Sequence, residues 1–367
     1  MDRWRSAAGN ADRMSLEYAH AWSRMRVRAV VYRTMIDETA GPVETTPSRR
    51  ARLVFAVLVA LATATYVFLR GRADPARVSD FDQVWFAAQA LWNGQDPYPL
   101  IGLGRAFEWK WPFYYPLPAV VLVGPLGLGS VLLARCVFAG LSAGALAWAI
   151  TRDGWHRTPV FASVSFIVSV QLVQWSPLLT AALLWPALSW VSIAKPNWGV
   201  AIVAAASSPR IWRPLLIGAC LLSIVAFLVQ PGWVAAWLPI VRSASHFGTP
   251  VVLPFGFLML AVVLRWRRPE ARLLLAVACL PQTPGFYDAL MLFTIPRTLR
   301  ESLLLTGCSY IVFFAMAFRG PWPADSAWMA DIARFTLWFL YLPCVVMVLR
   351  RPNQGTLPVS ERLWPRR

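Results

Sequence analysis

Charge is scarce in this chain. Only 14% of its 367 residues are charged, against about a quarter in an ordinary soluble domain, while 57% are hydrophobic and the mean hydropathy is +0.51. That balance argues against a soluble globular domain and predicts an all-α, polytopic integral membrane protein. Lysine is scarcer still: 33 of the 35 cations are arginine, leaving only Lys110 and Lys195. The three histidines, His20, His156 and His246, are scattered and form no set with metal-ligand spacing. The five cysteines all lie inside apolar runs without close spacing, which argues against a disulfide framework or a zinc site and for small buried residues. No repeat of fixed period and no low-complexity linker is present, so one membrane domain is the simplest organisation.

What the chain does have is arginine between long apolar runs, giving a formal net charge of +17. Because membrane-length segments separate the basic sites, they read as topology signals and lipid-headgroup contacts, not as a nucleic-acid surface. Residues 1–50 form a basic segment without a signal-peptide core. In it Trp22, Met25, Ala29, Tyr32 and Ile36 recur at helical spacing, which fits an amphipathic surface helix; a disordered tail is the alternative. Residues 52–70 form the first span, about 28 Å at 1.5 Å per residue, long enough for the hydrocarbon core. Arg49, Arg50 and Arg52 place its start in the cytoplasm.

Further apolar segments fall at 116–129, 131–150, 158–173, 177–193, 198–207, 212–231, 250–265, 271–281, 286–297, 301–318 and 329–349. If each crosses, the densest arginine loops all share the side of the N-terminus. Twelve spans are therefore self-consistent, and ten with two half-helices equally so. The membrane domain covers 51–350, with an external loop at 71–115 and a cytoplasmic tail at 351–367. On the external side this leaves the loop 71–115, the break at Lys195, the loop 232–249 and the turn at Tyr287-Asp288, a natural lining for one shared cavity.

Within SDFDQVWFAAQALWNGQDPYP, residues 79–99, Phe81, Val84, Trp85, Ala88 and Leu91 have helical spacing, with the apolar face on lipid or on the bundle. Asn93-Gly94 ends that helix, and Asp96-Pro97 is suited to start the next. Asp82 fits a first-turn charge favoured by the helix dipole. Asp80 fits two roles, an N-cap, for which Ser79 would serve equally, or a chemically active carboxylate at the membrane edge. Asp80 and Asp82, two apart on a helix, do not face each other as a metal pair would.

Asp80-Phe81, Trp85, Ala87-Ala88, Gly94, Pro97-Tyr98 and Tyr114-Tyr115-Pro116, in that order after the first span, resemble the first external loop of the polyprenyl-phosphate-mannose-dependent α-1,2-mannosyltransferases, a family of GT-C membrane glycosyltransferases. Gln171 or Gln174, Lys195-Pro196, and Pro284 with Tyr287-Asp288 resemble later motifs, extending the likeness over roughly residues 52 to 300. The chain departs from the family at Pro116-Leu117-Pro118, where two consecutive prolines are common. It also has Phe286-Tyr287-Asp288 where many members carry a histidine, which bears on donor identity and catalytic detail.

The resemblance implies a GT-C-like fold of about 10–12 transmembrane helices with an amphipathic helical first external loop. It also implies transfer of a sugar, mannose by family, from a polyprenyl-phosphate donor to a hydroxyl of a glycolipid or polysaccharide acceptor, with inversion, on the external face of a prokaryotic plasma membrane. No cofactor is implied beyond the lipid donor and surrounding membrane lipids; a divalent ion bridging Asp80 to a distant carboxylate stays open. Asp80 is then the general base. Cations near the departing phosphate are expected from Arg77, Arg105, Lys110, Lys195, Arg242 and His246, with snorkelling and headgroup contact as the bland alternatives for Lys195, Arg242 and His246. Trp85, Tyr98, Trp109, Trp111, Tyr114, Tyr115 and Tyr287 are candidates for sugar or acceptor contact. Asp288 is either an acceptor-holding carboxylate or a helix cap. The competing classes are a transporter or flippase for lipid-linked sugars, against which the lack of visible repeats speaks, and a non-catalytic envelope-assembly scaffold.

Overall fold

The computed structural model describes residues 46–206, 209–244, 248–282, 285–319 and 326–354, which belong to one compact unit beginning at Thr46. The basic segment before Thr46, His246, Pro284 and the tail from residue 355 lie outside the described residues. The helices are α1 (Arg49–Ala73), α2 (Asp82–Trp92), α3 (Leu117–Val123), α4 (Val131–Ile150), α5 (Val164–Gln171), α6 (Ser176–Leu184) and α7 (Pro196–Ala205). They continue with α8 (Trp212–Val229), α9 (Trp233–Arg242), α10 (Pro269–Cys279), α11 (Leu299–Phe318), α12 (Ser326–Thr336) and α13 (Leu342–Leu349). Two-residue strands β1 (Ile101–Gly102) and β2 (Phe107–Glu108) pair in the loop after α2. Among the described residues five stretches are long and apolar enough to cross a membrane: α1, α4, Pro209–Val229, α11 and Trp328–Leu349. The apolar windows of α1 and of Pro209–Val229 are only 17% and 11% buried in protein, so these two stretches turn most of their apolar surface outward.

Small residues decide how α1 meets α4. A Cβ at Gly140 would stand 3.1 Å from the Ala60 carbonyl oxygen and 3.2 Å from the Ala64 methyl, and one at Gly144 would stand 3.0 Å from the Ala60 methyl. Glycines four apart let the two backbones touch, which is how helices associate where lipid removes the hydrophobic drive. Gly140→Leu is expected to lower stability by about 1–3 kcal/mol through overpacking. Thermal unfolding in detergent measures it against Gly307→Leu, since a Cβ at Gly307 meets nothing within 4 Å.

The helix ends sort into two layers. At one, Arg52 donates to the Trp148 carbonyl at 2.6 Å and lies over its ring. Arg351 joins Glu270 at 3.3 Å and Glu301 at 2.8 Å. Arg157 reaches the Pro296 carbonyl, and Arg272 reaches those of Ala204 and Ala206. The arginines expected as topology signals therefore also satisfy the carbonyls left open at helix C-termini. The opposite layer holds residues 74–82, 172–174, 195–197, 281–282 and 285–288.

Two of the apolar segments begin and end near the same loops, which fits the ten-span alternative with two half-helices better than twelve full crossings. Segment 116–129 is held at both ends by the first loop: the Trp92 indole donates to Gly124 at 2.8 Å, the Trp85 indole to Gly129 at 3.2 Å, and the Tyr98 hydroxyl to Tyr115 at 3.3 Å. It turns back because Pro125 and glycines 124, 127 and 129 stop α3 after seven residues. Segment 177–193 leaves and returns: Gln174 before it and Lys195 after it meet at 3.4 Å. Its bend is Trp185-Pro186, where Trp185 approaches Trp148 of the arginine layer. Segments 250–265 and 286–297 are mainly 3₁₀ turns.

Candidate functional site

The site is built on the loop between α1 and α2. Asp82, in the first turn of α2, accepts hydrogen bonds from the Ser79 backbone N–H and hydroxyl, both at 2.7 Å. Arg135 of α4 grips both of its carboxylate oxygens, one through Nε at 2.7 Å and the other through Nη2, and also donates to the Arg77 carbonyl at 2.8 Å. Asp82 is thus more than a charge at a helix dipole: with Arg135 it forms a buried two-point ion pair that fixes where α2 begins. The expected apolar stripe lies against the bundle, with Phe81, Val84 and Ala88 buried and Phe81 stacked on Phe138. Asn93 ends the helix and Gly94 follows at φ 68°, a left-handed position that glycine fills without strain. Asp96 accepts from the Tyr98 N–H at the start of a single 3₁₀ turn, Tyr98–Leu100.

Asp80 does not cap α2. The N-cap position is Phe81, with no side-chain hydrogen bond. The Asp80 backbone N–H instead donates to the Leu172 carbonyl at 3.1 Å, tying the loop to the turn after α5. In that turn Val173 adopts φ 50°, a left-handed conformation costing a β-branched residue about 1–3 kcal/mol. The bond above and one from the Gln174 N–H to Ser169 at 2.8 Å hold it there. The result aims Gln174 back at the loop, and its Nε2 donates to Asp80 Oδ2. The Lys195 ammonium donates to Gln174 Oε1 at 3.4 Å. An ammonium can only donate, so Lys195 fixes which end of the Gln174 amide faces Asp80. Lys195 also lies 5.7 Å from the Tyr287 ring and 6.0 Å from the Tyr115 ring.

These groups face a cavity of about 500 Å³. Among the described residues its charged lining is Asp80, Lys110, Lys195 and Asp288, and much of the rest is aromatic, including Trp109, Trp111, Tyr114, Tyr115, Tyr287 and Trp237. The Trp237 indole donates to the Tyr114 carbonyl at 2.8 Å, so α9 braces this wall from outside. Burial pushes the Asp80 carboxyl up to about 7; Asp288 and Asp82 push the same way, and Lys195 pulls it down. Asp80 is therefore poised to exchange a proton near neutral pH.

Of the candidates read from sequence, the cavity collects Asp80, Trp109, Lys110, Trp111, Tyr114, Tyr115, Lys195, Tyr287 and Asp288. Others stand elsewhere. Trp85 spends its indole N–H on Gly129, and Tyr98 is buried behind the wall, supporting the Tyr115 carbonyl. Arg77 and Arg105 are not among the lining residues, and Arg242 is exposed one residue past Val241, which is. Among the residues that sequence reasoning missed are Gln83, Asn197, Trp237 and Trp328. Gln83 carried one signal, its place three residues after Asp80.

No protein-family model, no curated protein and no solved structure matches this chain.

Proposed function

We propose that this protein is an inverting membrane glycosyltransferase of GT-C type with 10–12 spans, moving a sugar, mannose in the first instance, from a polyprenyl-phosphate donor to an acceptor hydroxyl on the non-cytoplasmic face. The observation that supports it most is Asp80, a carboxyl raised to about 7, open to an aromatic-lined cavity at the mouth of the first span. The acceptor oxygen attacks the anomeric carbon as the carbon–oxygen bond to phosphate breaks. The hydroxyl proton passes to Asp80, and the lipid phosphate departs with the bonding pair on the opposite face. Lys195 and Lys110 are the cavity cations suited to the charge growing on that phosphate. The aromatic wall suits the apolar faces of a sugar ring.

The test is transfer of labelled mannose from synthetic polyprenyl-phosphate mannose to a panel of glycolipids by purified protein, with the arabinose donor in parallel. Transfer from either donor supports the reading. No transfer, with movement of the lipid-linked sugar across proteoliposomes, would give the cavity to a flippase.

Gln174 supplies a second check. Its amide stabilises the ionised form of Asp80, so Gln174→Ala is expected to raise the Asp80 pKa further and move the acid limb of the pH–rate profile to higher pH by about one unit. Gln174→Glu is expected to move it further, because it places a second carboxylate against the first. An unmoved limb would show that Gln174 does not act on the base.

A further inference from the structure

Three buried glutamines differ in one respect. Gln174 is satisfied at both ends of its amide, by Asp80 and Lys195. So is Gln282, which donates to the Val277 carbonyl at 2.6 Å and accepts from the Tyr341 hydroxyl at 2.8 Å. Gln83 is 6% exposed, lines the cavity, and has no hydrogen bond from its side chain to any described residue. Its amide atoms are not among the buried unpaired ones, so they open onto the cavity. Its partner therefore comes from the cavity: water at rest, and a ligand when one binds.

We infer that Gln83 reads a hydroxyl of the acceptor sugar other than the one that reacts, and so helps to set which acceptor the cavity takes. Gln83 stands in the first turn of α2, three residues after Asp80 in sequence, and both residues line the same cavity. A base must touch the acceptor hydroxyl directly, and a polar group lining the same cavity is placed to meet another hydroxyl of the same acceptor. An amide offers one acceptor and two donors, matching a hydroxyl that both gives and takes a hydrogen bond. A neutral amide is a poorer match for the donor phosphate, for which the cavity has lysines. Gln83 is thus a specificity-determining residue. The assignment rests on the glycosyltransferase reading only in that the cavity receives an acceptor sugar.

The experiment measures binding without donor, so that no turnover is needed. Octyl glycosides of mannose, glucose, galactose and arabinose are titrated into full-length protein while quenching of tryptophan fluorescence is followed, and the tightest is compared with its monodeoxy analogues. Wild type is expected to bind at least one analogue about tenfold more weakly than the parent, the loss of one hydrogen bond to a buried amide. Gln83→Met, of similar length and without the amide, is expected to bind parent and analogue alike, both at the weaker level. Gln83→Glu keeps an acceptor and is expected to retain part of the discrimination, which guards against a folding defect in the first variant. Undiminished discrimination in both variants, or no binding of any glycoside by wild type, overturns the proposal. Glycoside binding with the expected pattern but no sugar transfer would leave the Gln83 assignment standing and remove the catalytic reading alone.

Discussion

Asp80→Asn is expected to lower the rate of sugar transfer by about 10²–10⁴, the usual contribution of a positioned general base, while acceptor binding stays within a factor of a few. Asparagine keeps the shape and can still meet the Gln174 amide after a flip, but it cannot take a proton. In wild type the rate should rise with pH through about 7, where Asp80 loses its proton, and the residual rate of the variant should lack that limb. Stability moves the other way. With the folded pKa near 7 and the unfolded one near 3.9, the folded chain holds a proton between those values that the unfolded chain has released. Stability therefore falls as pH rises through this window. The asparagine variant lacks that slope, so its melting temperature should match wild type near pH 4 and exceed it at pH 8. Such a pattern is the mark of a carboxylate kept for chemistry at a cost in stability. A variant that melts lower than wild type at pH 8 would make Asp80 a structural residue and sink the assignment.

How far the sequence reaches is clearest in the first loop. The periodic Phe81, Val84 and Ala88, the stop at Asn93-Gly94 and the first span are local patterns, and they form where they were expected. Hydropathy fails where direction matters. The apolar residues of 116–129 and 177–193 are as greasy as those of a crossing helix, yet Pro125 with its flanking glycines, and Pro186, turn the chain back. Composition reports burial but not which end of the molecule a segment returns to. The site divides in the same way. Lys195 stood out because lysine is rare and because it breaks an apolar stretch, but its contact with Gln174 and the aim of Gln174 at Asp80 depend on a left-handed turn at Val173 that no propensity predicts. Arg135 carries a signal of its own in the sequence. An arginine inside a twenty-residue apolar helix needs a carboxylate or carbonyls nearby, and the pattern left Asp82 as an available partner.

That pair carries the other large expected effect. Asp82→Ala should destabilise the protein by about 3–5 kcal/mol, because it leaves the Arg135 guanidinium buried without its counter-charge and frees the Ser79 N–H and hydroxyl that Asp82 now holds. Arg135→Met should be costly in the reverse sense, stranding the carboxylate. The double variant Asp82→Leu/Arg135→Met removes both desolvation penalties and should recover most of the loss, since well-packed apolar replacements of a buried ion pair are often neutral or better. Denaturant unfolding of wild type, Asp82→Leu, Arg135→Met and the double variant closes the cycle and gives the coupling energy directly. Transfer activity then separates stability from placement. The pair sets where α2 starts, two residues beyond Asp80, and a small misplacement of a base costs rate far out of proportion to its cost in stability. The double variant should therefore fold well and transfer poorly. If it folds and transfers like wild type, the loop is positioned by Phe81 on Phe138 and by the Asp80–Leu172 backbone bond, and the ion pair serves only to neutralise itself.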